Sequence, residues 1–388
     1  MRKRKRIASV VLAASMAMAL LSGCGGSAGS NSGSESEGAG AAVSSGGGAE
    51  EESCIKIGVS GTPDLDPAIA STGSSLIAAI NIYDTLVYPD ENAEEGVVGR
   101  VAEDWTISED GLTYTFNLKQ GIKFHNGEEL KASDVVYSMD RLLTIGEGYA
   151  YIFSNYIDPG STVAVDDYTV EFHLKQAYGP FLNSLIRLFI VSEKEVKENT
   201  LASGNYGENG DYGREYLLTH DAGSGAYKAV ELVQQDYFYA EWNPDWFMGW
   251  SNENAPKAFK QMAITEATTI RTMINNRELD ITDTWQSVET LDALSKIDGV
   301  SIAKYSNGLE YNVYMNTQAA PLDDINFRRA VNCLIDYDTI CNSILLDSTK
   351  AAGPVPAGVL GHVDTATFDY DVEQAKEYIA QSKYADNY

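Results

Sequence analysis

Basic residues, histidine and cysteine are scarce in this sequence. Its 388 residues include 28 Lys and Arg against 56 Asp and Glu, for a formal net charge of -28, and only 4 His and 4 Cys. Nucleic-acid binding needs clustered Lys and Arg to neutralise phosphates, so this charge balance argues against a nucleic-acid partner. A hydrophobic content of 44% is enough for packed cores and excludes a disordered protein, and the length predicts two or three domains.

The motifs of common hydrolases and metalloenzymes are also missing. The four His are far apart, and the sequence has no His-Glu-x-x-His, Gly-x-Ser-x-Gly or Gly-x-x-x-x-Gly-Lys motif. Asp64 with Asp66 does not begin an EF-hand loop, because Ser75 stands where that loop needs its bidentate carboxylate. For this pair and for Asp280 with Asp283, turns and caps are the better explanation. The sequence therefore predicts no catalytic residue, metal or cofactor.

A long apolar run lies near the N-terminus. A basic stretch at residues 2–6 precedes an apolar stretch at residues 7–21, which is short for a membrane span. This arrangement predicts a signal peptide over residues 1–23. The sequence Leu-Ser-Gly-Cys that ends at Cys24 resembles the bacterial lipoprotein box, which implies cleavage before Cys24 and lipid attachment to its sulfur. An ordinary secretory signal is the alternative.

Residues 24–53 consist almost entirely of small and polar residues. They cannot bury enough apolar surface to offset the entropy of ordering, so we expect a flexible tether. A Gly/Ser-rich chain of this length reaches roughly 30 Å. The folded part is therefore expected near a membrane, on its extracytoplasmic face.

Periodic apolar residues beyond the tether predict both strands and helices. Residues 112–118 and 170–174 alternate apolar and polar side chains, as half-buried strands do. A helical stripe follows Ser133 or Asp134, either of which is placed as its N-cap. Helical spacing recurs at residues 327–335 and 372–379. The mixture predicts an α/β or α+β protein with more than one lobe.

Nine blocks of sequence carry a family resemblance. In order they are YDTLVY (83–88), VAEDW (101–105), DGLTYTFNLK (110–119), GIKFHNG (121–127), SDVVYS (133–138), GSGAYK (223–228), WNPDW (242–246), PLDDINFRRAVNCLID (321–336) and DVEQAKEYIA (371–380). Together they closely resemble the family 5 extracellular solute-binding proteins, the peptide and nickel receptors of ABC importers. Single blocks are weak signals, but this many in one order is a strong one.

The resemblance implies an α/β, two-lobed periplasmic-binding-protein-like fold of the large class. We expect the first lobe at residues 54–262, with a nested extra subdomain at about 82–178, and part of the second lobe at residues 263–388. Family members generally continue past the helix that here ends near residue 383, so we expect the second lobe to be incomplete. The missing part would include the aspartate that receives a peptide's amino terminus in peptide-binding members.

The resemblance also implies a ligand site. In peptide-binding relatives the segment after the Leu-Asp-Pro turn borders the cleft, which here corresponds to Ser71, Thr72 and Gly73. We expect an extended ligand to pair with this backbone as an added strand. Tyr149 matches the aromatic residue after the signature helix, and Arg187 matches the basic position after the Gly-Pro-Phe block.

Two of these assignments stay open. Arg187 interrupts an apolar run at residues 182–191, so it is either a cation in the cleft or a partner in a buried salt bridge. Trp285 is a further ligand candidate, from the second lobe.

The expected function is that of a monomeric, lipid-anchored receptor. It would bind an oligopeptide or other small solute between the lobes and deliver it to the membrane permease subunits of an ABC importer. A nickel or haem-like chelate and an oligosaccharide are alternative ligands. A surface sensor or adhesin is an alternative role, and the missing catalytic motifs argue against a secreted hydrolase.

Overall fold

The computed structural model describes residues 53–386 except 91, 285, 304–307, 347, 358, 360 and 366. The strands of this part are β1 (Cys54–Val59), β2 (Val87–Pro89), β3 (Val97–Gly99), β4 (Ala102–Ile107), β5 (Thr113–Leu118), β6 (Thr162–Asp166), β7 (Thr169–His173), β8 (Tyr227–Val233), β9 (Tyr237–Trp242) and β10 (Ala258–Ala263). The helices are α1 (Gly73–Ile82), α2 (Ala132–Ile145), α3 (Ala150–Phe153), α4 (Phe181–Ser184), α5 (Glu193–Glu198), α6 (Ala267–Asn275), α7 (Val288–Leu294), α8 (Ile325–Cys333), α9 (Tyr337–Thr339) and α10 (Val372–Ala380). The predicted signal peptide, Cys24 and Trp285 lie outside the described residues.

One four-stranded sheet has the order β1-β10-β9-β8. β1 runs parallel to β10, and the other neighbours are antiparallel. Alternate residues of a strand point to the same face, and in β9 the alternate residues Phe238 and Ala240 are both buried. Phe238 packs edge-on against the buried Phe259 of β10, with ring centroids 5.7 Å apart. The Gln261 side chain of β10 donates a hydrogen bond to the Ser74 carbonyl (3.2 Å), which ties this sheet to α1.

The second four-stranded sheet is antiparallel throughout and has the order β4-β5-β7-β6. The two predicted strands are confirmed as β5 and β7. Tyr114, Phe116 and Leu118 are buried as their alternation predicts, and Phe116 meets Phe172 of β7 edge-on at 5.7 Å. The buried apolar residues of α2 belong to the same core.

The helix predicted after residue 132 is α2, but the prediction of its N-cap is wrong. Lys131 is the residue before the helix, and both Ser133 and Asp134 lie in the first turn. The Asp134 carboxylate accepts a hydrogen bond from the Lys131 backbone N–H (2.8 Å). A side chain of the first turn thus provides the hydrogen-bond acceptor for the N–H of the capping residue. Gly146 ends α2 with a left-handed φ of 71°.

The two helices predicted near the end of the sequence are present as α8 and α10. Asp324 caps α8 by accepting hydrogen bonds from the backbone N–H groups of Asn326 (2.8 Å) and Phe327 (3.0 Å). The helix ends at Cys333, two residues before the predicted stripe does. α8 packs against α10 through a small cluster formed by Ala330, Cys333 and Ala375.

The apolar core of the described residues falls into three clusters. The largest extends from Leu65 to Phe259 in sequence and includes both four-stranded sheets. A second one contains Ile270, Ile274, Leu279 and Leu294, and the third joins α8 to α10. Outside them, the apolar side chains at positions 309, 311, 313 and 314 are between 68% and 91% exposed. The predicted lobe boundaries and nested subdomain stay predictions.

Candidate functional site

The turn at residues 65–67 is fixed by a buried ion pair. Both carboxylate oxygens of Asp66 accept hydrogen bonds from the Arg141 guanidinium, at 2.6 and 2.7 Å, and both residues are 1% exposed. Asp66 also accepts a hydrogen bond from the Ala68 backbone N–H (3.0 Å), and Arg141 donates to the Tyr212 carbonyl (2.9 Å). These contacts satisfy the buried charges, so Asp66 holds the turn in place, as its interpretation as a turn residue predicts.

The predicted ligand segment follows this turn and leads into α1. Thr72 is the N-cap of α1, and its hydroxyl accepts a hydrogen bond from the Ser75 backbone N–H (3.1 Å). The Thr72 carbonyl takes part in the first helical hydrogen bond, with Leu76 (2.9 Å), and Gly73 is already helical. Ser71, Thr72 and Gly73 are all exposed. The extended stretch available for pairing with a ligand is therefore short.

The loop before α3 lies against the same turn. Gly148 has a left-handed φ of 52°, and a Cβ at this position would lie 2.7 Å from the Ala68 carbonyl oxygen. Only glycine allows the two backbones to approach this closely. The contact places the loop that carries the half-buried Tyr149 beside the segment that leads to Ser71.

Arg187 stacks on Tyr149. The guanidinium carbon lies 5.1 Å from the centre of the tyrosine ring, within the range of a cation–π contact. The structure thus brings together Arg187, Tyr149 and the turn before Ser71. Among the described residues, no carboxylate forms a salt bridge with Arg187.

Buried neighbours fix the position of Arg187 in the chain. The short 3-10 helix Leu185–Arg187 has Leu185 buried inside it and Leu188 buried directly after it. Phe189 then forms a β-bridge with Thr85. The side chain of Arg187 therefore extends from a backbone that is held on both sides.

A narrow crevice separates Arg187 from the buried ion pair. Its interior volume is about 10 Å³, at the lower limit for one water molecule. It is lined by Pro67, Ala68, Ser138, Arg141, Leu142, Arg187, Leu188, Phe189 and Val191. The lining includes Arg141 and Arg187 and no acidic residue, in a protein with twice as many acidic as basic residues.

A second buried carboxylate, Asp84, supports this region and was missed by sequence reasoning. It accepts hydrogen bonds from the Arg100 Nε (2.6 Å), the Ser224 hydroxyl (2.9 Å) and the Trp246 indole N–H (3.4 Å). Burial raises the pKa of Asp84, and the Arg100 charge opposes that rise. The Asp84 carbonyl also accepts a hydrogen bond from the Ile190 N–H (3.0 Å), which ties this network to the segment that follows Arg187.

The resemblance blocks at residues 121–127 and 223–228 meet at His125. Its Nδ1 lies 2.6 Å from an Asp221 carboxylate oxygen, and its Nε2 lies 3.0 Å from the Gly225 carbonyl oxygen. The Asp221 carboxylate also accepts hydrogen bonds from the backbone N–H groups of Gly223 and Ala229. His125 is thus a structural link between distant segments.

A wide groove lies away from Arg187, between α2 and α5. Its volume is about 750 Å³, and its lining residues are Glu128, Glu129, Lys131, Ser133, Asp134, Glu193, Lys194, Lys197 and Glu198. The groove is wide and shallow, and its lysines pair with carboxylates at its own rim or beside it. Nothing in it converges on a ligand, so we place the candidate site at Arg187.

Metal sites and membrane spans are both absent from the described part of the chain. It holds no group of three or more His, Cys, Asp or Glu side chains arranged to bind a metal ion. Within the same residues, none of the helices combines the length and the apolar character that crossing a membrane requires.

Known proteins identify the fold class and then the family. The solved structure of the ABC transporter-associated periplasmic binding protein DppA from Helicobacter pylori, in complex with the peptide STSA, superposes with a TM-score of 0.67 at 25% identity, covering 85% of this chain and 66% of that one. The predicted α/β periplasmic-binding-protein-like fold is therefore confirmed. The family model "Bacterial extracellular solute-binding proteins, family 5 Middle" matches residues 96–388. The chain belongs to this family, as its sequence blocks predict.

Two curated relatives extend over most of the chain. The probable D,D-dipeptide-binding periplasmic protein DdpA of Escherichia coli (strain K12) is 29% identical over 339 residues, which cover 84% of this chain and 62% of the relative. The glutathione-binding protein GsiB of Pectobacterium atrosepticum is 27% identical over 350 residues, covering 88% and 63%. The chain thus spans less than two thirds of the length of these relatives.

Proposed function

We propose that this chain is the solute-binding component of an ABC importer and that its ligands are oligopeptides. The observation that supports this most is the convergence of the turn before Ser71, Tyr149 and Arg187 in a chain of this family. The protein is anchored at the extracytoplasmic face of the membrane through a lipid on Cys24. It hands its ligand to the permease subunits and catalyses no reaction.

The peptide assignment has two supports. The relatives described above are named for dipeptide and glutathione binding, and the superposed DppA structure holds a peptide. In this chain, Ser71 is exposed, and its backbone groups have no hydrogen-bond partner among the described residues. These groups can pair with the main chain of an extended peptide, which gives affinity without reading side chains.

The protein acts as a monomer, and its two lobes close around the ligand. A ligand favours the closed form only by contacts that it makes better there than in the open form. In this proposal the surface at Tyr149 and Arg187 supplies one half of these contacts. The second lobe supplies the other half, with Trp285 as the candidate from residues 263–388.

Mass spectrometry of co-purified molecules tests the ligand assignment. The chain is expressed, purified under native conditions and then denatured to release whatever it carries. We expect a mixture of short peptides of varied sequence. A single non-peptide compound, such as a metal chelate or an oligosaccharide, released at stoichiometric amounts would overturn the peptide assignment.

The anchoring is tested separately with Cys24→Ala. The wild-type protein is expected to partition into the detergent phase, because its cysteine carries lipid chains. The variant is expected to stay in the aqueous phase or to remain unprocessed. Ser22→Ala, which leaves the cysteine in place, is the matched control. Equal membrane retention of the wild type and Cys24→Ala would reject the lipid assignment.

A further inference from the structure

The His125 ring lies between two hydrogen-bond acceptors. Its Nδ1 is 2.6 Å from an Asp221 carboxylate oxygen, and its Nε2 is 3.0 Å from the Gly225 carbonyl oxygen. A neutral imidazole has one N–H group and one bare nitrogen, so it can donate to only one of these two oxygens. Its bare nitrogen would then face an oxygen lone pair with no proton between them. An imidazolium has an N–H group on each nitrogen and satisfies both contacts.

Neither acceptor supplies the missing proton. The Gly225 carbonyl can only accept, and it also accepts a hydrogen bond from the Asn243 side-chain amide (3.2 Å). The two Asp221 carboxylate oxygens accept one backbone hydrogen bond each, from the N–H groups of Gly223 (3.0 Å) and Ala229 (2.6 Å). Each oxygen of Asp221 is therefore already an acceptor, so the proton between the carboxylate and the ring is donated by the ring.

The pair is shielded from water. The side chains of His125 and Asp221 are only 8% and 5% exposed. A buried nitrogen that faces an acceptor without a proton is costly, because water cannot replace the lost hydrogen bond. The buried position therefore favours the imidazolium with its carboxylate partner.

The other titratable groups around the pair add negative charge. They are Glu195 of α5, Tyr216 of the 3-10 helix Tyr216–Leu218, His220, whose ring stacks on Tyr216, and Tyr83 at the end of α1. Burial raises the pKa of Glu195, and hydrogen bonds from the Tyr216 hydroxyl (2.8 Å) and the Asn126 amide (2.8 Å) oppose that rise. Burial also raises the pKa values of both tyrosines, which therefore stay neutral.

The loop at residues 221–225, which His125 holds, is packed against two helices. The Gly225 N–H donates a hydrogen bond to the carbonyl of Ile82, the last residue of α1 (3.1 Å). A Cβ at Gly223 would lie 1.9 Å from the same carbonyl oxygen, so the loop lies directly on the end of the helix. Ser192, the N-cap of α5, donates its backbone N–H to a carbonyl of the loop (2.9 Å). The loop therefore connects α5 to the helix that begins at the candidate ligand segment.

We propose that His125 is a pH-sensitive clamp, which holds the loop at residues 221–225 against α1 and α5 while both of its ring nitrogens carry protons. The folded state then binds the second proton more tightly than the unfolded chain, in which a histidine titrates near about pH 6.5. The stabilisation is present in full below that pH and is lost as the pH rises through deprotonation of the folded ring. The clamp is independent of which ligand the protein binds.

Nuclear magnetic resonance of the ¹⁵N-labelled chain tests the protonation state directly. Correlations from the backbone amide assign the His125 ring in the wild type, so no variant is needed for this measurement. We expect both ring nitrogens to carry a proton at pH 7 and the ring to titrate at a higher pH than that of His173, whose side chain is 46% exposed. A His125 ring that titrates together with His173 would overturn the clamp.

Unfolding in urea between pH 5 and pH 9 measures the energetic effect. His125→Gln cannot titrate at this position, so the wild type should lose stability relative to this variant as the pH rises. We expect a change of at least roughly tenfold in the ratio of folded to unfolded protein, about 1.4 kcal/mol. His173→Gln is the matched control and should follow the wild type. Repeating the comparison with Glu195→Gln in both proteins removes the contribution of that neighbour. A difference between wild type and His125→Gln that is the same at every pH would contradict the proposal.

Hydrogen exchange locates the loosening. The amides of Gly225 and Ala229 donate hydrogen bonds to α1 and to Asp221, so their protection depends on the closed loop. Between pH 6 and pH 9, after correction for the intrinsic exchange rate, their protection should fall more than that of β5. In His125→Gln the protection of both amides should not change with pH relative to β5. An equal fall in the loop and in β5 of the wild type would show that no clamp acts on this loop.

Discussion

At the scale of single residues, buried charges with distant partners determine the shape of this site. Asp66 and Arg141 are 75 positions apart and form an ion pair that is almost completely buried. Asp84 accepts hydrogen bonds from Arg100, Ser224 and Trp246, and Trp246 lies 162 positions further along the chain. Such pairs add little net stability over apolar residues of the same shape, but leaving one partner unpaired is costly.

Breaking the Asp66–Arg141 pair should therefore destabilise the protein strongly. We expect Arg141→Met to lower the free energy of unfolding by about 3–5 kcal/mol, because Asp66 is left buried without its counter-charge. The double variant Arg141→Met with Asp66→Leu should recover a large part of this loss. Urea unfolding of the wild type, both single variants and the double variant measures the coupling. Additive losses in the double variant would contradict this interpretation of the pair.

The carboxylate of Asp134 should make stability depend on pH. Burial is the main cause that raises the pKa of Asp134 to about 6 in the folded state, above its ordinary value of 3.8. The folded state therefore binds a proton more tightly than the unfolded state, and stability is lost as the pH rises from about 4 through 6.

The comparison with Asp134→Asn isolates this effect. The asparagine side chain cannot ionise, so the free energy of unfolding of the variant should rise relative to that of the wild type as the pH increases from 4 to 7. The rise should reach roughly 3 kcal/mol, at about 1.4 kcal/mol for each unit by which the folded and unfolded pKa values differ. Urea unfolding at several pH values measures it, with Asp245→Asn as an exposed control. A difference between wild type and Asp134→Asn that is the same at every pH would refute the prediction.

At the scale of elements, local patterns predicted strands and helices better than their ends. β5 follows its alternation because Tyr114, Phe116 and Leu118 all face one core. The sequence predicts the start of α2 too late, because the Lys131 side chain has no capping oxygen whereas those of Ser133 and Asp134 do. The Asp66–Arg141 and Asp84–Arg100 pairs carry no local signal, since nothing in a sequence window says which charges will meet.

The loop that carries Tyr149 depends on one glycine. In Gly148→Ala the new Cβ would lie 2.7 Å from the Ala68 carbonyl oxygen, and the left-handed φ of 52° would also be strained. Gly127→Ala is the matched control, because Gly127 has a left-handed φ of 89° but open space around it. We expect Gly127→Ala to cost about 1–2 kcal/mol and Gly148→Ala clearly more. If thermal unfolding shows the same loss of stability for Gly148→Ala and Gly127→Ala, the close approach of the Gly148 and Ala68 backbones does not affect stability.

At the scale of the whole molecule, packing is uneven along the chain. The cluster from Leu65 to Phe259 is large and continuous, whereas the clusters beyond residue 263 are small. Residues 309–313 alternate apolar and polar side chains as a strand does, yet they lie outside every strand of the described structure and expose their apolar groups.

Hydrogen exchange should reveal this difference. Amides of β5 and β9 are expected to be protected to near the global free energy of unfolding, because both strands are paired on two sides. Amides of residues 309–314 are expected to exchange with little protection. Mass-spectrometric exchange on the intact chain measures both regions in one experiment. Equal and high protection in both would show that residues 263–388 are packed as firmly as the rest.

The central claim, that this family 5 solute-binding protein takes peptides, is tested most directly by calorimetry on the purified chain. Tripeptides to pentapeptides of differing sequence and the nickel–histidine chelate are titrated under identical conditions. If backbone pairing supplies most of the affinity, the peptides should bind within roughly tenfold of one another, about 1.4 kcal/mol, and the chelate should bind much more weakly. Tight binding of the chelate with no measurable binding of any peptide would contradict the claim.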